Sequence, residues 1–538
     1  MFAKKLRVAL AVLFWTGITA LFLDLTGALH LWLGWMAKVQ MLPAVLALNA
    51  GVIALLVVLT LLFGRIYCSV ICPLGVFQDG VSRLHLTLRR KKSRPAFSYR
   101  PERKWLRYGV WVLFVVAIIA GVHAFVVILA PYSAYGRMVT EFLRPVAIWV
   151  NNLLAGWAER AGSYAFYERV VWVRSLPVLI VALVSLVVVV VLAWRGGRTY
   201  CNTICPVGTT LGLLSRFAAF RPVIDADKCK HCKACEHACK ASCIDIAGGK
   251  GIDYSRCVDC FNCIGTCKFD ALRYRFAWRG RGDSTVKPWN DGKLPQALVK
   301  PWNDGKLPQA LVQPWNDGSS LPTRSGVPDA GRRAFLGGAA IAVGTAALRA
   351  QGREGIDGGL AVIEGKKAPK RVTPITPPGS LSARNMASHC TACQLCVSAC
   401  PNGVLRPSTE AGTFMQPTSS FERGWCRPEC TRCSEICPSG AICRISREEK
   451  TAIQTGHAVW VRENCLPAAE GIACGNCARH CPSGAILMVP LDPSDPGSVQ
   501  IPSIDPERCI GCGACEHLCP VRPLSAIYVE GNTAHRKI

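Results

Sequence analysis

Twenty-four of the thirty cysteines fall into six runs of four, and such dense, regular thiol spacing leaves little room for an ordinary apolar core between them. Two runs read Cys229, Cys232, Cys235, Cys239 and Cys257, Cys260, Cys263, Cys267, both C-x2-C-x2-C-x3-C. In that spacing three thiolates hold one [4Fe–4S] cluster while the fourth ligates its neighbour. One cluster then takes Cys229, Cys232, Cys235 and Cys267, the other Cys257, Cys260, Cys263 and Cys239. Zinc sites usually pair two C-x2-C units instead, and disulfide frameworks belong to small secreted chains. Lys240 and Lys268 replace the proline that usually follows the fourth cysteine, and Cys243 is left over as a buried small residue.

Four more runs lie near the C-terminus: Cys390, Cys393, Cys396, Cys400; Cys426, Cys430, Cys433, Cys437; Cys465, Cys474, Cys477, Cys481; and Cys509, Cys512, Cys515, Cys519. Each is followed by proline (Pro401, Pro438, Pro482, Pro520), as in the bacterial ferredoxin run. They supply four further [4Fe–4S] clusters and leave Cys443 unassigned. The middle two contain C-x3-C and C-x8-C gaps, where loops have grown inside the binding turn. With so few apolar residues between ligands, metal binding supplies much of the folding energy.

The N-terminal part is the opposite. The chain is 51% hydrophobic, and four apolar segments, about 7–28, 42–63, 107–130 and 171–194, are long enough for a hydrocarbon core of roughly 30 Å. Residues 145–157 are too short and read as interfacial. Basic residues crowd 65–107, whereas Lys38 stands alone between the first two segments. By the positive-inside rule the N-terminus and the basic loop are cytoplasmic and 131–170 is external. The formal charge of +27 falls to roughly +15 once six clusters of about −2 each are counted. Nucleic-acid binding is excluded on that ground.

Two of these segments end alike, in "GRIYCSVICPLG" at 64–75 and "GRTYCNTICPVG" 133 positions later. Two in–out–in hairpins of one direction are related by an axis along the membrane normal. Such an axis gathers Cys68, Cys72, Cys201 and Cys205 into a seventh metal or iron–sulfur site. The alternative is two independent thiol pairs.

Residues 286–318 repeat "VKPWNDGKLPQAL" and read as an extended tether. "GRRAFLGGAAIAVGTAALRA" (331–350) resembles a twin-arginine export signal, here internal and uncleaved. The Tat translocase would then carry 351–538 across the membrane.

On these motifs the N-terminal half resembles the NapH-type polyferredoxins, with NosR- and CcoG-like proteins in the wider family, and the C-terminal half resembles NapG. The resemblance implies a fusion, with a four-span α-helical membrane domain (1–216, two parallel hairpin repeats) and a cytoplasmic α+β ferredoxin-like domain (217–280). After the linker (281–330) and the anchor (331–350) comes a periplasmic ferredoxin-like domain (351–538). It implies location in the bacterial inner membrane and quinol dehydrogenase activity, drawing on the quinone pool and feeding a periplasmic cytochrome or terminal reductase. It also implies shared ligands between the first and fourth external runs and between the second and third. Cys390, Cys393 and Cys396 would join Cys519, and Cys509, Cys512 and Cys515 would join Cys400. Cys426, Cys430 and Cys433 would join Cys481, and Cys465, Cys474 and Cys477 would join Cys437.

Quinol oxidation needs a base, and His30 and His123 are the candidate catalytic residues, with Asp24 and Glu141 nearby. No obvious centre spans the gap between inner and outer clusters. Docking of the external domain on the spans, a partner cytochrome or a haem on those histidines would close it. A second expectation is electron delivery for maturation or maintenance of a metalloenzyme, as NosR and CcoG suggest. C-x-x-C-H is absent, so terminal reduction falls to a partner.

Overall fold

A computed structural model describes residues 2–88, 97–163, 165–277, 355–356 and 362–538; the linker 281–330 and the twin-arginine segment 331–350 lie outside the described residues. Two helices among them are long and apolar enough to cross a membrane, Phe2–Leu23 and Leu176–Gly196. The first, 22 residues long, measures about 33 Å.

The other two apolar segments, 42–63 and 107–130, are interrupted, so two of the four expected spans are not single long helices. Residues 42–63 form Met41–Leu46 and Ala50–Phe63. They part at Leu48 (φ 51°), and the Asn49 side chain restarts the helix by accepting from the Val52 amide at 3.2 Å. Residues 107–130 form Lys104–Ile119 and His123–Leu129, parted at Gly121 (φ 72°). Summed hydropathy cannot register such turns. Ala50–Phe63, at 14 residues, reaches only about 21 Å.

The expected external loop is not a surface loop at its start. Pro131–Met138 is helical and every residue from Ala130 to Thr140 is buried. It packs against Pro73–Leu88 and Leu176–Gly196. A π-helical turn, Val139–Leu143, leads into Arg144–Arg160, which turns Val146, Trp149, Leu153 and Trp157 outward. Val58, Leu113, Val184 and Val187 are likewise exposed on other helices. An apolar surface of this kind marks contact with lipid or with another protein.

Both ferredoxin-like parts are short hairpins and five-residue helices wrapped round the cysteines. In the first, Phe220–Ile224 pairs antiparallel with Leu272–Phe276, and Ile244–Asp245 with Gly251–Ile252. In the second, Ile453–Trp460 pairs with Ile527–Lys537, and Ile486–Pro490 with Gln500–Ile504. The two parts sit toward opposite ends of the first helix. Near its start, Arg7 pairs with Asp79 at 3.2 Å, and Asp79 with Lys240 of the first part at 3.5 Å. Near its end, Arg144 donates to the Phe22 carbonyl at 2.8 Å and Arg432 of the second part reaches the Thr26 carbonyl. Residues 7 and 22 are about 22 Å apart along the helix.

Candidate metal centres

In four of the six runs the backbone turns the same way round the second cysteine. The residues on either side of it are left-handed: His231 and Lys233, Asp259 and Phe261, Ala392 and Gln394, Gly511 and Gly513. Six of these eight are not glycine, and non-glycine residues hold this conformation at a cost of about 1–3 kcal/mol each where the surroundings over-determine it. A thiol loop closing on one centre is such a surrounding. At Gly513 a Cβ would also overlap the Phe421 ring. The two runs with widened gaps lack the pattern among their described residues.

The thiols face shared hollows. One is lined by Cys229, Cys232, Cys235 and Cys267. Another is lined by Cys239, Cys257, Cys260 and Cys263, and by Cys243 as well. The Cys243 sulfur lies 3.5 Å from that of Cys239. Cys243, expected as a buried small residue, is buried and stands as a fifth thiol in the second hollow. Cys243 beside it brings the Cys239 thiol down to about 7.

In the C-terminal part the grouping differs from the sharing that the resemblance implied. Cys390, Cys393 and Cys396 meet Cys437, not Cys519. Cys426, Cys430 and Cys433 meet Cys400, not Cys481. Cys465, Cys474 and Cys477 meet Cys519, not Cys437. Cys509, Cys512 and Cys515 have Cys481 rather than Cys400 as their electrostatic neighbour. The physical reason is local. Leu395–Ala399 packs on Arg432–Ile436, and Asn476–Arg479 packs on Ala514–Leu518, so consecutive runs form two-centre units. Cys443 stays outside these hollows, its thiol directed to the Gly440 carbonyl. Alkylation of Cys437→Ala followed by peptide mapping is expected to expose Cys390, Cys393 and Cys396; labelling of Cys465, Cys474 and Cys477 instead would restore the other pairing.

Among the described residues no three His, Cys, Asp or Glu side chains form a group that could hold a single metal ion. What favours a [4Fe–4S] cluster over zinc is the spacing of the runs, since zinc sites usually pair two C-x2-C units. Burial pushes Cys260, Cys393 and Cys477 up to about 11, and Cys235 and Cys512 to about 12. Metal-free, these groups are neutral thiols at pH 7, so loading a centre expels protons.

The duplicated stretch accounts for its own repeated residues. Cys68, Cys72, Cys201 and Cys205 are all buried in one continuous core. The long helices end at Gly64 (φ 71°) and Gly197 (φ 64°), where the chain touches the first ferredoxin part. There the Arg65 amide donates to Asp259 at 2.9 Å and the Arg198 amide to the Lys240 carbonyl at 2.9 Å. The arginine side chains then cross over. Arg65 Nη2 donates to the Cys201 carbonyl at 3.1 Å, and Arg198 Nη1 to the Cys68 carbonyl at 2.6 Å. Gly208 and Gly75 admit them, since a Cβ would lie 2.7 Å from Arg65 Nη2 and 2.5 Å from Arg198 Nη1 respectively. Tyr67 donates to Gln40 at 3.1 Å and Tyr200 to the Leu129 carbonyl at 3.0 Å. Gln78 donates to the Cys201 sulfur at 3.3 Å, a contact that the repeat does not show because residue 211 is leucine. Two guanidiniums offset negative charge at four thiolates, so the residues present fit an iron–sulfur cluster here.

His30 and His123 stand apart. His30 Nδ1 lies 3.4 Å from Asp24 Oδ2, and its Nε2 is buried without a partner. The other Asp24 oxygen accepts from the Thr26 and Gly27 amides at 2.9 and 2.7 Å. Arg432, which lines the Cys400 hollow, reaches the Thr26 carbonyl beside this pair. His123 Nδ1 is likewise buried without a partner among the described residues, and its electrostatic neighbour there is His389. Glu141 is half-buried near Arg174, not beside His30.

Comparison with known proteins returns to the same residues. A 4Fe-4S binding domain family matches 45–95 and again 178–223, one match over each copy of the duplicated stretch. A 4Fe-4S dicluster family matches 472–522, and a 4Fe-4S binding domain family matches 386–406. The methylamine utilization ferredoxin-type protein MauM of Methylobacillus flagellatus is 35% identical over 170 residues, 30% of this chain and 70% of its own length. The ferredoxin-type protein NapH of Escherichia coli is 26% identical over 245 residues, 44% of this chain and 70% of its own. The Escherichia coli ferredoxin-type protein NapF is 29% identical over 159 residues, 29% of this chain and 87% of its own. No solved structure matches.

Proposed function

The chain belongs to the ferredoxin-type iron–sulfur electron-transfer proteins represented by MauM and NapH, and from that premise we propose that it oxidises a quinol in the bacterial inner membrane and passes the electrons to a periplasmic oxidoreductase. Its clusters, when bound, supply one-electron acceptors in series. The seven centres are the five thiol-lined hollows, the group of Cys509, Cys512, Cys515 and Cys481, and the four-thiol site. The two long apolar helices and the outward-facing apolar side chains support membrane location.

The observation that carries the reading is the unpartnered His30 Nε2 beside Asp24 and Arg432. A quinol releases two electrons and two protons. Burial keeps His30 below its ordinary value, so at neutral pH the ring is free to accept a proton at Nε2. Asp24 fixes Nδ1 as the protonated nitrogen, and its remaining oxygen is tied by backbone amides. A headgroup seated there lies next to Arg432, on the rim of the Cys400, Cys426, Cys430 and Cys433 hollow. Arg432 is the neighbour that His30 and that hollow have in common, whereas the electrostatic neighbour of His123 is His389. The NapG-like export of residues 351–538 fits this arrangement, with the docked C-terminal part on the external side.

The test is anaerobic addition of a menaquinol analogue to the oxidised full chain, following the broad iron–sulfur absorbance. Bleaching is expected in the parent, with the rate lowered about 100-fold or more in His30→Gln. Acid is expected to slow the parent in the same way, because protonated His30 cannot act as base. A parent that does not bleach at full cluster content overturns the quinol reading and leaves the maturation role.

A further inference from the structure

The buried helix Pro131–Met138 has no part in quinol binding, yet it stands between the four-thiol centre and the first C-terminal hollow. Its neighbours are Pro73–Leu88, which follows Cys72, and Leu176–Gly196, which precedes Gly197. Tyr132, at its start, is 1% exposed, and its ring lies 5.9 Å from that of Phe22. Its hydroxyl has no hydrogen-bond partner. Its electrostatic neighbours are Cys393, Cys437 and Tyr67. Tyr67 precedes Cys68 and is fixed by Gln40 at 3.1 Å and the Met41 amide at 3.0 Å.

The helix backbone touches the C-terminal part directly. At Gly136 a Cβ would overlap the Cys393 carbonyl and lie 2.7 Å from the Phe22 ring, so only glycine admits this approach. Tyr200, next to Cys201, ties the turn before the helix through the Leu129 carbonyl at 3.0 Å. One continuous apolar core contains Cys68, Cys72, Cys201 and Cys205 together with Tyr67, Tyr132, Tyr200 and Cys393. Each of these residues is buried.

We propose that the Pro131–Met138 helix links the four-thiol centre to the centre of Cys390, Cys393, Cys396 and Cys437, with the Tyr132 ring as the middle contact for electron passage. The proposal rests on the reading of both sites as iron–sulfur centres but not on quinol as donor. One electron leaves one centre and enters the other; Tyr132 is neither oxidised nor reduced overall. Its hydroxyl faces no acceptor and keeps its proton, so the aromatic ring and not the hydroxyl is the working part. The link closes the gap between the two ferredoxin parts within one chain, with no haem.

The experiment uses the full chain in proteoliposomes that enclose ferricyanide, with potassium and valinomycin present to dissipate charge and no quinone added. Dithionite is supplied outside and the trapped ferricyanide absorbance is followed. The parent is expected to bleach it and Tyr132→Phe to match the parent. Tyr132→Leu is expected to be slower by at least an order of magnitude, with iron and sulfide per chain unchanged and the electron paramagnetic resonance signatures of both centres retained. If Tyr132→Leu loses clusters, Tyr132→Met takes its place with the same expectation. A leucine or methionine variant as fast as the parent overturns the proposal, as does a fully loaded parent that transfers nothing. Loss of quinol bleaching with trapped ferricyanide still reduced would instead sink only the quinol reading.

Discussion

Arg198→Leu is expected to lower the stability of the detergent-solubilised protein by about 3–5 kcal/mol, the usual result of breaking one side of a buried ion pair. The guanidinium is fully buried, 2.9 Å from Asp79 and 2.6 Å from the Cys68 carbonyl. Burial alone would raise the Asp79 carboxyl, but Arg198 and Lys240 hold it well below the ordinary carboxylate range. A depressed carboxylate contributes stability above its unfolded value and loses it only as pH falls through the folded one. The Arg198 effect is therefore present throughout the neutral range and fades only in strong acid. Arg65→Leu provides the internal control. Like Arg198, Arg65 approaches a cysteine sulfur (Cys68, 3.9 Å), but in place of a carboxylate its other side-chain partners are the neutral Asn202 oxygen at 2.8 Å and the Cys201 and Ser255 carbonyls at 3.1 Å. Leaving such neutral acceptors unsatisfied costs about 1–3 kcal/mol. Denaturation midpoints compared across parent, Arg198→Leu and Arg65→Leu check the order, and an equal loss in both variants would reject the ion-pair account.

Much of the site was legible because ligand spacing is a local property. The C-x2-C-x2-C-x3-C runs specify which thiols face inward, and the duplicated GR-x-Y-C-x3-CP stretch points to a shared centre through its glycines and arginines as much as its cysteines. Sharing between runs is not local. It depends on which short helices pack together, and the first and second external runs pair as neighbours along the chain. Cys243 was hidden for a related reason: it belongs to no run, and only the turn after Cys239 brings its sulfur to 3.5 Å. Apolar length found the helical segments but not their interruptions, since Leu48 and Gly121 change the backbone direction without changing hydropathy. The Pro131–Met138 helix was the largest omission. Its residues include Ser133, Gly136 and Arg137, a loop-like composition, and their burial comes from packing between other helices and against the C-terminal part.

The second large effect concerns the four-thiol centre itself, on which the continuity of the relay depends. Its cysteines come from two stretches 133 residues apart, and each arginine crosses to the other copy, so neither half is complete alone. Cys68→Ser and Cys201→Ser are each expected to remove a whole cluster, and the double variant to remove no more than either single one. In either single variant the remaining three thiols would sit in a core where Arg65 has no carboxylate partner and Arg198 keeps only Asp79. Losses that add in the double variant would mean two independent thiol pairs.

The decisive measurement is iron and acid-labile sulfide per chain in anaerobically purified parent, Cys68→Ser, Cys201→Ser and the double variant. One shared [4Fe–4S] centre predicts the same loss in all three variants, about four irons and four sulfides. Unchanged iron and sulfide, or the loss of a single metal ion with no sulfide, would contradict it.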